Sequence, residues 1–153
     1  MAKGCIYEIS QDINCLGNMN ESDFDRVAGV LADYFVDDDR EKRAEELLTV
    51  FKKAGFETGM ESDDSGSEWF WFRFSDESRK EYFRPRYERF SKMAAEMTLD
   101  DFSQNVYRLL DCIEDQYGDA TCLNGSYYDA LDYALRVMDP GVKYYVGNVV
   151  FAN

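Results

Sequence analysis

Phenylalanines fall at alternate positions between Glu68 and Ser75, a stretch that reads Glu-Trp-Phe-Trp-Phe-Arg-Phe-Ser and holds both tryptophans of the chain. Successive side chains of a strand point to opposite faces. Phe70, Phe72 and Phe74 would therefore share one face, and Trp69, Trp71 and Arg73 the other. Aromatic residues suit a pleated, half-buried surface. A strand that is apolar on both faces is expected inside a sheet and covered on both sides. The alternative is that the tryptophan face binds a partner, but an aromatic stripe more commonly builds core.

The rest of the chain can be read around this strand. Cys5 to Ser10 predicts a short first strand, and Gln11 to Asn20, with Gly17 and three asparagines, a loop. Phe24, Val27, Ala28, Leu31, Tyr34 and Phe35 recur at helical spacing. Asp37-Asp38-Asp39 interrupts that pattern and can cap a second helix with the stripe Ala44, Leu47, Leu48, Phe51 and Ala54, which Gly55 should end. Phe56 to Glu61 alternates as a half-buried strand, and Ser62 to Ser67 has the composition of a turn. This strand and the aromatic one should form a hairpin.

A helix is expected to start at Ser75 or Ser78 and to kink or break at Pro85, with its stripe resuming at Tyr87, Phe90, Met93, Ala94 and Met97. Thr98 and Asp101 match a capping box opening a helix striped by Phe102, Val106, Leu109, Leu110 and Ile113, which Gly118 should end. Ser126 and Asp129 open a last helix along Tyr127, Ala130, Leu131, Ala134, Leu135 and Met138, which Asp139-Pro140-Gly141 stops. Lys143 to Phe151 is a closing strand rich in aromatic and branched residues.

The order is strand, helices, strand, strand, helices, strand. It predicts an α+β fold, a small, mainly antiparallel sheet of about four strands with about five helices, a variant of the ferredoxin-like unit. No linker divides residues 1–153, so one domain is expected. RNA recognition modules share this element order and stack bases on third-strand aromatics. Trp69, Trp71 and Arg73 would occupy that place, but the glycine-bearing motif is missing and the charge has the wrong sign.

Composition changes the picture in two ways. The chain has no histidine, and its net charge is -14. Without histidine, serine-histidine and cysteine-histidine nucleophile pairs are excluded, as is the metalloprotease helix motif. The acidity argues against nucleic-acid backbones and anionic membranes as partners. Cys5, Cys15, Cys112 and Cys122 lack the close spacing of zinc ligands and read best as buried free thiols. Phosphate-binding, dinucleotide and nucleophile-elbow motifs are absent. The expectation is therefore no enzyme, no cofactor and no metal. The first eight residues place Glu8 where a signal peptide needs an apolar run, so a cytoplasmic protein is expected.

Arg79, Lys80, Arg84, Arg86, Arg89 and Lys92 form the one basic segment, read as ion-pair partners for the acidic remainder. The carboxylates are the candidate contact groups. Asp37, Asp38, Asp39 and Glu41 form one cluster, and Asp63 and Asp64, at the hairpin tip, the other. Carboxylates on successive turns can stand in for phosphates in the cationic groove of a nucleic-acid-binding protein. By composition this suggests an acidic inhibitor of a basic protein such as a defence nuclease, in the manner of anti-CRISPR and anti-restriction proteins. The alternatives are a non-inhibitory interaction domain of a phage or mobile element, and a carboxylate-based enzyme.

Overall fold

The computed structural model describes residues 4–18, 35–37, 39–110, 120–123 and 129–152. Its strands are β1 (Gly4–Ser10), β2 (Phe35–Asp37), β3 (Glu57–Ser62), β4 (Glu68–Arg73), β5 (Ala120–Leu123) and β6 (Tyr144–Ala152). The helices among these residues are α1 (Arg40–Lys53), α2 (Asp76–Glu96), α3 (Leu99–Asn105), α4 (Tyr107–Leu110) and α5 (Ala130–Val137), with a short 3-10 turn at Ile13–Cys15. The fold is α+β, as expected.

The sheet runs β3-β4-β6-β1-β5, and β2 also pairs with β6. β3, β4, β6 and β1 are mutually antiparallel neighbours, and β5 adds in parallel to β1. β1 lies along one edge of β6. The other edge is shared, with β4 beside Tyr144–Val146 and β2 beside Val150–Ala152. The ferredoxin-like arrangement is varied by placing the last strand, not the first, beside β4. The reason lies in the sequence of β6, whose nearly unbroken apolar run Tyr-Tyr-Val-Gly-Asn-Val-Val-Phe-Ala suits a central position.

A bulge sets which residues of β6 face the helices. Tyr7 pairs with Val149 and Ile9 with Val146, so Gly147 and Asn148 together oppose Glu8. The extra residue shifts the alternation by one. Val146 and Val149 thus both enter the core with Cys5, Tyr7, Phe72, Phe74 and Tyr144. The buried Glu8 carboxylate fills the bulge, accepting from the backbone N–H of Gly17 at 2.7 Å and of Asn148 at 3.0 Å. A Cβ on Gly147 would lie 1.9 Å from the Glu8 Oε1 atom, so only glycine leaves this space.

α1 and α5 cover the helix face of the sheet. The expected α1 stripe is present, with Ala44, Leu47, Leu48 and Phe51 buried, and Gly55 ends the helix at φ 90°. Phe51 meets Phe72 edge-to-face with centroids 4.9 Å apart. α5 contributes Ala130, Ala134, Leu135 and Met138. The opposite sheet face carries a smaller cluster of Leu16, Trp69 and Tyr145, with Ile13 and Trp71 at its margin.

Some expectations are corrected. α2 passes through Pro85 without the break that was one of the two outcomes expected there; Pro85 is solvent-exposed, so the carbonyl it leaves without an N–H partner can meet water. The helix capped by Thr98 has the expected capping box but is broken at Val106 into α3 and α4. Phe35, read as helical, lies in β2. The remainder of that helix (24–34), and Ile113, Gly118, Ser126 and Tyr127, lie outside the described residues.

Candidate functional site

The hairpin of β3 and β4 places the second predicted cluster at its tip, and Asp63 closes the turn there. One carboxylate oxygen accepts from the backbone N–H groups of Ser65 and Ser67, both at 2.9 Å, and from the Ser65 hydroxyl at 2.6 Å. The other accepts from the indole N–H of Trp69 at 2.9 Å. The hydroxyl of Ser65 and the indole of Trp69 stabilise the charged form and hold the Asp63 carboxyl down at about 2. A folded value below the ordinary one means that these bonds are intact above about pH 4 and are lost as pH falls toward 2. In an NMR titration, the amides of Ser65 and Ser67 should therefore move with a midpoint near 2. A midpoint in the ordinary carboxylate range, about 4, would show that Asp63 does not clasp the turn.

Trp69 brings the two predicted clusters together. Its ring is buried against Leu16 and Tyr145, and the guanidinium of Arg40 lies 4.1 Å above it. Arg40 stands between Asp39 and Glu41, so the start of α1 and the hairpin tip meet on one indole. Asp39 caps α1, accepting from the backbone N–H of Lys42 at 3.2 Å. Glu41 is exposed in the first turn, where the helix dipole favours a carboxylate. Asp64 is exposed, and its backbone N–H donates to the Asn14 side chain at 3.0 Å. Asp12, at the start of the same loop, caps the 3-10 turn. Asp37 lies in β2 opposite Val150, and Asp38 is outside the described residues. Five of the six predicted residues thus lie on segments that converge at one end of the sheet. The signal missed in the sequence is Trp69, whose alternation placed it on a face without indicating which loops it would join.

Trp71 occupies the next position on the same face and is half-buried. Its ring packs on Gly59, where a Cβ would fall 2.6 Å from the indole, and Lys143 Nζ stands 4.4 Å from the ring centroid. Lys143 also pairs with Glu61, which accepts from the Tyr145 hydroxyl at 2.8 Å. These two donors, Lys143 foremost, hold the Glu61 carboxyl below its ordinary range. The tryptophan face is therefore largely structural, with Trp69 more deeply placed than Trp71.

The basic segment is also largely absorbed within the protein. Lys80 pairs with Asp76, and Arg84 with Glu81. Arg79 donates to the carbonyls of Leu135 at 2.6 Å and Met138 at 2.5 Å, capping the end of α5. Arg86 holds the buried Asp132 with two hydrogen bonds, at 2.7 and 2.8 Å, and the Tyr82 hydroxyl donates to the same carboxylate. Burial pushes the Asp132 carboxyl up, but the bonds from Arg86 and Tyr82 outweigh it, and the group ends below its ordinary range. By contrast, Glu41, Glu45, Asp64 and Glu68 have no ion pair among the described residues.

Cys5 is a buried free thiol as expected, whereas Cys15 is exposed and its thiol donates to Asp12 at 3.3 Å. The loop of Cys15 lies on the sheet surface with its apolar neighbour Leu16 turned inward instead. Among the described residues, no group of three or more Cys, Asp or Glu side chains could hold a metal ion, and no helix is long and apolar enough to cross a membrane. No protein-family model, curated protein or solved structure matches the chain.

Proposed function

We propose that this protein is an acidic binding module that engages a cationic protein through the end of the sheet around Trp69, and that it blocks a nucleic-acid-binding protein there. One observation carries the reading. Two carboxylate-bearing segments far apart in sequence, Asp39–Glu41 and Asp63–Asp64, are brought together by the contacts of Arg40 and Asp63 with Trp69. A display of carboxylates positioned in advance by such contacts lowers the ordering cost of binding, and the net charge of -14 speeds encounter with a cationic groove. Within these two segments, Glu41 and Asp64 are exposed and have no ion pair among the described residues; Asp63 holds their frame. The partner class is a basic protein such as a defence nuclease, met in the host cytoplasm.

The test is a pull-down from host lysate with the intact protein and with an Asp39→Asn, Glu41→Gln, Asp64→Asn variant. Asparagine preserves the cap at position 39, so the variant loses charge without losing the helix start. The wild type should capture a basic nucleic-acid-binding protein, release it as salt rises and lose it to added DNA or RNA. The variant should capture at least tenfold less. A captured partner that keeps its nucleic acid while bound would overturn mimicry. Absence of any basic partner at every salt concentration would overturn the reading as a whole.

A further inference from the structure

β3 ends the sheet, and its outer edge has no strand beside it among the described residues. Its six residues pair with β4 in unbroken register from Glu57–Arg73 to Ser62–Glu68. Edges are commonly protected by proline, a bulge or charged side chains; β3, Glu-Thr-Gly-Met-Glu-Ser, has no proline, bulge or lysine, and its two charges, Glu57 and Glu61, are paired with Arg73 and Lys143. The direction of its backbone groups follows from the tip. The Asp63 N–H donates inward to the Ser67 carbonyl. Hydrogen-bonding direction alternates along an antiparallel strand. Glu61, Gly59 and Glu57 thus face β4, while Thr58, Met60 and Ser62 direct N–H and C=O groups outward.

A groove of about 450 Å³ runs beside this edge, between it and α1, lined by Leu48, Thr49, Thr58, Met60 and Phe70 among others. Met60 is 48% exposed there and offers an apolar surface to a side chain entering the groove. The groove has a charge at each end. Lys52 lies where α1 turns back into β3, and Glu45 lies two turns earlier, about 10 Å away along the helix axis. Neither has an ion pair among the described residues. The Glu45 end continues to the hairpin tip with Asp64.

We infer that the β3 edge and this groove accept an extended segment of another protein as an added antiparallel strand. The segment carries apolar side chains at alternate positions, a basic residue at its N-terminal end and an acidic residue at its C-terminal end. The backbone supplies the hydrogen bonds, and the alternate side chains fill the groove over Leu48, Met60 and Phe70, as in other strand-addition modes. An antiparallel strand runs from the tip to Lys52, which sets the order of the two charges. The cationic character of the partner as a whole rests on the function proposed above; the groove and edge do not depend on nucleic-acid mimicry.

The probe is a blocked peptide, acetyl-Arg-Arg-Val-Thr-Val-Thr-Val-Glu-amide, added to the full chain and followed by amide NMR. The expected result is saturable shifts and slowed hydrogen exchange at Thr58, Met60 and Ser62. A probe N-methylated at alternate residues on its bonding edge should bind at least tenfold more weakly, as should the Met60→Pro variant. Proline with its ring toward solvent is tolerated on an edge strand, and the methylated probe tests the same bonds with the protein unchanged. Equal binding of the methylated and unmethylated probes overturns the inference. Shifts confined to Asp39–Glu41 and Asp63–Asp64 also overturn it, while leaving the acidic end as a binder of cations. Protection of β3, in a protein that retains no basic partner from lysate, upholds strand addition and removes the proposed function instead.

Discussion

Replacing Phe72 with alanine should destabilise the protein by about 3–5 kcal/mol, the range for truncating a buried phenylalanine. Phe72 is 0% exposed and sits at the meeting point of three rings. Its centroid lies 4.9 Å from Phe51, 5.9 Å from Phe56 and 5.7 Å from Tyr144. These come from α1, the link into β3, and β6, so the cavity left behind would adjoin three elements that cannot all move inward. For a chain of this size the loss corresponds to a fall in melting temperature of about 10 °C. Urea unfolding followed by tryptophan fluorescence measures it directly. Trp71→Ala makes the contrast. Trp71 is half-buried, so its truncation should cost clearly less. A Phe72→Ala change no larger than that of Trp71→Ala would place the core elsewhere.

Asp132→Ala should cost a similar amount, about 3–5 kcal/mol, for a different reason. Its side chain is only 6% exposed and that of Arg86 13%. Removing the carboxylate leaves a buried guanidinium and the Tyr82 hydroxyl without their acceptor. The double variant Asp132→Leu, Arg86→Met removes both charges and should recover much of the loss, because a buried pair adds little over well-packed apolar groups. The pH dependence follows from the depressed carboxyl. Its contribution is complete above the unfolded value of about 4 and is lost as pH falls through the lower folded value. Denaturation curves across that range should show the acid-side loss in the wild type and a smaller one in the double variant. An Asp132→Ala protein as stable as the wild type would mean that α2 does not depend on this clamp.

The elements legible in the sequence are those whose apolar positions repeat often enough to be recognised. The α1 stripe, the aromatic strand and the Thr98 capping box are all where they were expected. β2 and β5, three and four residues long, are too short for alternation to be distinguished from chance. They are strands only because β6 and β1 offer them backbone partners. The break at Val106 and the passage through Pro85 depend on which faces meet solvent, and one-dimensional spacing does not carry that information. The candidate site was legible in part. The two carboxylate clusters could be named, but their meeting at Trp69 required the path of β2 along β6. That Asp63 is held by its own turn was not separable from its composition, since Asp-Asp-Ser-Gly-Ser describes equally a solvent-facing tip and a clasped one. Glu8 shows a similar gap: the strand pattern of Cys5 to Ser10 did not indicate a buried carboxylate, and only the bulge in β6 explains how it is held.

The shared edge of β6 has a consequence for how the sheet comes into being. β1, β2 and β4 all hydrogen-bond to this one strand, and among the described residues none of the three bonds to another of them. During synthesis the hairpin of β3 and β4 can close early, because its contacts are local, but β1 must wait through nearly the whole length of the chain for its antiparallel neighbour. The loop-closure entropy is then met late and in a single step, which makes assembly slow relative to a helical bundle of the same size. Until residues 144–152 have left the ribosome, the aromatic strand presents an open backbone edge on a chain that cannot yet cover it. By the time the aromatic strand has emerged, the chain already carries a surplus of carboxylates, and the repulsion this produces opposes association of nascent chains along that edge.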